Sequence, residues 1–206
     1  MPLNEILQLL KLSSNNRSFV LGIDGLGGAG KTAFAQVVLN FFEKLDIKAI
    51  VLHIDDFIYP KNIRYDITKE ERYCYYNLQW RYDYLINEIL SPIHSGVEIN
   101  KEIEIYEKIN DNYIKRHIKI SRDTVVIVEG VFLQRPELGP FFDYVIFIDV
   151  PKDVRLKRVI NRDSYIGGTP AVKEKYERRY FPAEEMYISS CSPILKANYI
   201  IRYLEE

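Results

Sequence analysis

Short unbroken apolar runs alternate along the chain with longer stretches whose apolar positions recur every three or four residues. The runs at 19–23, 48–54, 124–128 and 144–148 predict strands, and Tyr199, Ile200 and Ile201 predict a last one. Unbroken runs such as Val125-Val126-Ile127-Val128 are expected of parallel strands covered on both faces. Helical periodicity covers about 31–45, 68–95, 154–162 and roughly 171–187, with Leu85, Ile86, Ile89 and Leu90 on one face of the second stretch. The first residues predict an amphipathic helix using Leu3, Ile6, Leu7 and Leu10. Residues 97–120 depart from this rhythm. Val97, Ile99, Ile103 and Ile105 alternate with polar residues, Asn110-Asp111-Asn112 forms a turn cluster, and Ile114, Ile118 and Ile120 follow. That pattern predicts a β-hairpin excursion.

The order of elements implies an α/β fold: five parallel strands with helical crossovers, in one domain over 1–206. Composition narrows the partners. Lys and Arg total 28 against 29 Asp and Glu, a net charge of −1. Without a basic excess, neither nucleic acid nor an anionic membrane is an expected partner. No apolar run approaches the ~20 residues that span a bilayer. The N-terminus has Glu5 and Lys11 and lacks the basic start and long apolar run of a signal peptide. Cys74 and Cys191 have no metal-type spacing and fit a reducing, cytoplasmic setting as small buried apolar residues. Whether the chain forms a homo-oligomer is open.

The candidate chemistry starts at Gly25-Leu26-Gly27-Gly28-Ala29-Gly30-Lys31-Thr32, which matches G-x-x-x-x-G-K-[ST] between a predicted strand and a predicted helix. Gly25, Gly27, Gly28, Ala29 and Gly30 let the backbone curl so that N–H groups face phosphate oxygens, with the helix N-terminus adding partial positive charge. Lys31 is placed to reach the β- and γ-phosphates of a nucleoside triphosphate, and the Thr32 hydroxyl to bind Mg²⁺. Asp55 and Asp56 end the second predicted strand, where ligands of open α/β sheets sit. They suit orientation of a substrate hydroxyl or metal binding, and equally a helix cap. Glu129, directly after the run at 124–128, suits a Mg²⁺ contact. Arg155, Arg158 and Arg162 share a helix face, fit either for charge stabilisation in phosphoryl transfer or for simple solvation.

The segments GIDGLGGAGKT, HIDDF, VVIVEGVFL, DVRLKRVINRD and RRYFPAEEMY, in this order and spacing, resemble the uridine kinase and phosphoribulokinase family of P-loop kinases, from about Phe19 to Tyr203. The resemblance implies a three-layer P-loop nucleoside triphosphate hydrolase fold with a lid over about 163–182. It implies transfer of the γ-phosphoryl of Mg·ATP to a small-molecule hydroxyl. Uridine leads the acceptors, and pantothenate, glycerate and nicotinamide riboside follow. A non-catalytic ATP-binding regulator is the alternative. By the same resemblance Asp55 accepts the hydroxyl proton and contacts the acceptor. Glu129 lies near the magnesium, and Arg158 and Arg162 contact ATP at the start of the lid. Arg155 faces the acceptor side, and Gly167-Gly168 is a flexible point of the lid. The family's hairpin carries Tyr-Asp with a His five residues after the Tyr that helps read a pyrimidine. Here Tyr106 is followed by Glu107, and position 111 is Asp. Ile58 replaces an aromatic, and Ser164-Tyr165-Ile166-Gly167-Gly168-Thr169 replaces a basic lid segment. These departures fall in the acceptor half. With Tyr106, the aromatic stretch Tyr75, Tyr76, Trp80, Arg81 and Tyr84 is therefore an alternative lining for the acceptor pocket.

Overall fold

The computed structural model describes residues 2–12 and 16–203. Five parallel strands form its centre: β1 (Phe19–Gly25), β2 (Ala49–His53), β5 (Val125–Gly130), β6 (Tyr144–Asp149) and β7 (Tyr199–Arg202), in the spatial order β2-β5-β1-β6-β7. The antiparallel pair β3 (Ile99–Glu107) and β4 (Asn112–Ile120) forms a separate two-stranded sheet. Helices α1 (Pro2–Leu12) and α2 (Lys31–Lys44) precede β1 and β2 respectively. Between β2 and β3 run α3 over 71–78 and α4 over 82–94. Helix α5 (Lys152–Arg162) follows β6, and α6 runs over 169–191 with one wide turn at Tyr176–Tyr180.

Strand alternation sorts the core into two layers. Leu21, Ile23, Val125 and Ile127 share a cluster with Ala35, Val38 and Phe42 of α2 and with Leu3 and Ile6 of α1. Their neighbours Val20, Val126 and Val128 join Leu85 and Ile89 of α4, Tyr187 of α6 and Phe132. The sheet is thus covered on both faces, as its unbroken apolar runs require. The N-terminal helix is part of this core, with Leu3 and Ile6 buried and Leu7 and Leu10 packed against the same cluster. Both cysteines are buried free thiols.

The predicted helix over 68–95 is divided. Ile58 and Trp80 pair as an antiparallel bridge, and the Tyr59 and Arg81 amides donate to Gln79 and Phe57 carbonyls at 2.8 Å each. At 79–81 the Gln79 carbonyl and the Arg81 amide bond to the segment after β2 instead of to a continuous helical ladder, and the Arg81 carbonyl starts α4 by accepting the Leu85 amide. This break matters for the site, because it swings α3 beside the carboxyl ends of the strands. The hairpin occupies the predicted 97–120 interval, closed by a turn at 108–111 in which Asp111 adopts φ 53°. The stretch expected as a lid, 163–182, consists of a short turn at Ser164–Ile166 and the first half of α6.

Candidate active site

At the carboxyl ends of β1, β2 and β5 a cleft of about 600 Å³ opens, lined by side chains from every layer. Its floor is the loop between β1 and α2. Gly28 has φ 81°, and a Cβ there would come within 2.8 Å of Val159 on α5, so bulk and backbone both exclude a larger residue. Gly30, with φ 95°, starts α2 in the left-handed conformation. Gly27 and Gly28 line the cleft, whereas Gly25, Ala29 and Gly30 shape the loop from behind. The Gly27 amide is taken by Glu184 and the Ala29 amide by Leu26 O, and the N-terminus of α2 at Lys31 adjoins the cleft, where it favours an anionic phosphate.

Lys31 is buried at the base of this space, its Nζ donating to Leu26 O at 3.0 Å. Burial pulls its pKa down, and Glu129, Asp24, Asp55 and Glu184 oppose that pull. Of these four, Glu184 is paired with Arg155 and Glu129 lies against His53. The Thr32 hydroxyl donates to Glu129 Oε1 at 3.0 Å, and His53 Nδ1 lies 2.6 Å from the same oxygen. Glu129 draws the His53 pKa up through this hydrogen bond. No cluster of three or more His, Cys, Asp or Glu able to hold a metal occurs among the described residues. A hydroxyl and one carboxylate beside a phosphate loop fit Mg²⁺, which keeps waters and shares its shell with substrate phosphates. A caged zinc or calcium ion does not fit.

Asp55 sits on the short turn Ile54–Asp56 that ends β2. Its open surface faces the cleft rather than bulk water. Enclosure by the cleft walls, and then the charge of Glu129, hold its pKa above the usual carboxylate value. A carboxylate raised in this way is a competent proton acceptor for an alcohol. Asp56 instead pairs with Arg116 of the hairpin at 3.0 Å.

The structure redistributes the remaining candidates. Arg162 and Tyr106 line the cleft. Arg162 donates to Asp163 at 2.7 Å and to the Tyr176 hydroxyl at 3.1 Å. Arg158 does not line it: this exposed side chain lies on the outer side of the loop, with Nη1 3.3 Å from both Gly28 O and Ala29 O. Arg155 does not face an acceptor. It is buried behind the loop, donating to Val150 O at 3.1 Å and to Glu184 Oε2 at 2.9 Å. Tyr76 is packed edge-on against Phe132 with its hydroxyl 3.2 Å from Ser190 Oγ, away from the cleft. Arg81 pairs with Glu104 at 2.9 Å and lies 4.1 Å and 3.9 Å from the ring centres of Tyr84 and Tyr113, tying α4 to the hairpin. Trp80 donates to Tyr75 O at 2.9 Å and is core. Of that aromatic set only Tyr75 reaches the cleft.

Two cleft residues carry no advance signal in the sequence: Arg64 comes from a single helical turn in an aperiodic stretch, and Tyr176 comes from the wide turn of α6. Tyr180, within the segment RRYFPAEEMY, lies on the same turn and lines the cleft. Glu184 has the appearance of an ordinary first-turn acid of a helix, yet it accepts the Gly27 amide at 2.7 Å. Beneath the loop, Asp24 accepts from the Gly25 amide at 2.8 Å, from Gln134 at 3.0 Å and from the Tyr187 hydroxyl.

Known proteins are similar to this chain. A uridine kinase of Staphylococcus carnosus is 27% identical over 183 residues, covering 84% of this chain and 82% of the relative. A uridine kinase of Clostridium botulinum is 32% identical over 150 residues, covering 71% and 69%. The solved structure of a possible uridine kinase from Bacillus stearothermophilus superposes with a TM-score of 0.76 at 29% identity, covering 97% and 96% of the two chains. A putative fructose transport system kinase from Silicibacter shares the fold at 14% identity, with a TM-score of 0.75 and coverage of 98% and 99%. These similarities mark the protein as a phosphotransferase acting on a hydroxyl. The model of the phosphoribulokinase/uridine kinase family matches residues 20–204, and the chain belongs to that family.

Proposed function

We propose that the protein transfers the γ-phosphoryl of Mg·ATP to a hydroxyl of a small molecule. One observation carries the reading: the loop lysine, the Thr32–Glu129 pair and Asp55, drawn from three strand ends, line one cleft. The loop amides and Lys31 bind the triphosphate and hold its terminal group in line with the acceptor. Thr32 and Glu129 would hold Mg²⁺, which when bound adds positive charge at the phosphate oxygens. Asp55 accepts the acceptor's hydroxyl proton at its carboxylate as the oxygen attacks. Arg162 and Tyr176, fixed on Asp163, close the side of the cleft and limit water near the transferred group. Arg158 acts on the loop from outside through the Gly28 and Ala29 carbonyls.

The relatives named above carry the name uridine kinase, so uridine is the first acceptor to try, followed by other small alcohols. The test is ADP release from Mg·ATP with and without each acceptor. Release that depends on an acceptor supports the proposal. Release independent of any acceptor makes the protein an ATPase. Tight ATP binding without release under any condition makes it a nucleotide-binding regulator.

A further inference from the structure

The far end of the cleft is basic: Arg64, Lys61 and Lys108 line it, and the two lysines form no ion pair among the described residues. Arg64 is only 8% exposed and lines the cleft. Its Nη2 donates to the Tyr106 hydroxyl at 2.7 Å, and that hydroxyl donates to Asp111 Oδ1 at 2.6 Å. Asp111 also accepts the Lys61 amide on both oxygens at 3.1 Å, and stands 3.7 Å from the Arg64 guanidinium. Asp111 thus offsets the Arg64 charge while its oxygens take their hydrogen bonds from Tyr106 and the Lys61 amide. Arg64 Nε is buried and has no partner among the described residues.

Behind it lies a second buried arginine. Arg179 is fully buried on the wide turn of α6, donating to Gln79 Oε1 at 2.9 Å and to Arg64 O at 3.4 Å. It forms no ion pair among the described residues, and its Nε is also unpartnered. Lys61 and Lys108 line the same cleft. Of the cleft acids outside the transfer end, Asp56 is spent on Arg116 and Asp163 on Arg162. A buried donor without an acceptor is uncommon. A neutral alcohol or a base carbonyl would satisfy the Arg64 N–H alone, whereas an anion would also answer the charge of Lys61 and Lys108.

We propose that the acceptor carries an anionic group, a carboxylate or a phosphate, received by Arg64 at the end of the cleft away from the phosphate loop. The proposal rests on the kinase reading and narrows its substrate class. The Arg64 guanidinium is held in place by Tyr106, so its free edge is presented without loss of rotamer freedom on binding. Asp111 positions Tyr106 and does not contact the ligand's anion.

The test compares matched acceptors in the ADP-release assay: glycerol with D-glycerate and with glycerol 3-phosphate, D-ribose with ribose 5-phosphate, and uridine as a neutral reference. The expected result is that a charged member exceeds its neutral partner at least tenfold in kcat/KM. The carboxylate and phosphate arms decide which anion is used. Arg64→Met should remove that preference, and Arg64→Lys should retain part of it. Preference for uridine or any other neutral member would overturn the proposal. An equal loss with neutral and charged acceptors would also overturn it, because Arg64 would then serve the transferred phosphoryl.

A readout independent of turnover uses thermal stabilisation by sulfate at saturating Mg·ADP. Wild type should be stabilised and Arg64→Met should lose the effect. Tyr106→Phe, which keeps the arginine but frees it, should weaken the effect and serves if Arg64→Met does not fold. No stabilisation of wild type, or stabilisation unchanged in both variants, would overturn the proposal. Failure of wild type to bind Mg·ADP would be the separate signature of a failed kinase reading, and would sink both.

Discussion

Arg155 and Glu184 close a ring around the main chain of a single residue, Gly27. Glu184 accepts its N–H at 2.7 Å, Arg155 donates to its carbonyl at 3.0 Å, and the two side chains pair at 2.9 Å. Both are buried, and they come from different helices, α5 and α6. The phosphate loop is thus gripped through the two successive peptide units that flank Gly27. Removing one partner leaves a buried charge, which costs roughly 3–5 kcal/mol. Glu184→Ala should lower stability by about that amount, read from the urea midpoint, and weaken ATP binding. A loss below about 1 kcal/mol would show that the ring does not hold the loop.

Asp55 should matter for transfer and little for nucleotide binding. Asp55→Asn keeps the shape and removes the proton acceptor, so turnover should fall by roughly 10²–10⁴-fold. ATP affinity, read by calorimetry, should change by no more than a few-fold. Turnover near that of wild type would exclude Asp55 from the role. The pH dependence has a definite sign. Enclosure by the cleft walls and the charge of Glu129 raise the Asp55 pKa, and only the ionised form accepts a proton. Activity should therefore be lost as pH falls through a value above the ordinary carboxylate pKa of about 3.9. An acidic limb at or below that value in the wild-type profile would contradict the assignment.

Lys31 carries the opposite expectation. It is the one lysine buried at the loop, and its loss removes a charge-assisted contact to phosphate worth about 1.5–3 kcal/mol. Lys31→Ala should weaken ATP binding roughly tenfold to a hundredfold and reduce turnover with it. Unchanged affinity and rate would mean that the triphosphate lies elsewhere.

The layered fold was legible because each strand of the sheet is a short unbroken apolar run. Val125 and Val126 point to opposite faces and are both buried, so no other element fits them. The phosphate loop was legible because glycine spacing encodes backbone shape directly. The acceptor end was not. Arg64 reaches it from an aperiodic turn, and Arg179 stands behind Arg64, fully buried on a wide helical turn; neither turn leaves a periodic trace. Tyr76 and Trp80 resemble pocket residues in sequence, but the break at 79–81 buries both in the core while turning Tyr75 outward to the cleft. The helix face of Arg155, Arg158 and Arg162 was read correctly as one side of a helix. Tertiary packing then sent the three to a buried strut, an outer loop contact and the cleft wall.

The first helix belongs to the stability of this site, although it lies outside the phosphate loop and the cleft. Ile6 is fully buried against the layer that also contains Ala35 and Val38 of α2, the helix that begins at Lys31. Glu5 accepts the buried Tyr144 hydroxyl at 2.8 Å and so fixes how α1 sits on β6. Deleting a buried isoleucine side chain to Ala costs about 2–5 kcal/mol through lost transfer energy and the cavity left behind. Ile6→Ala should destabilise within that range by urea unfolding. Ile67, which is 98% exposed, supplies the control, and Ile67→Ala should stay within about 0.5 kcal/mol of wild type. Equal effects at the two positions would mean that α1 is not part of the core. A large effect at Ile6 alone would show that the helix secures the face of the sheet on which α2, and with it the phosphate loop, is seated.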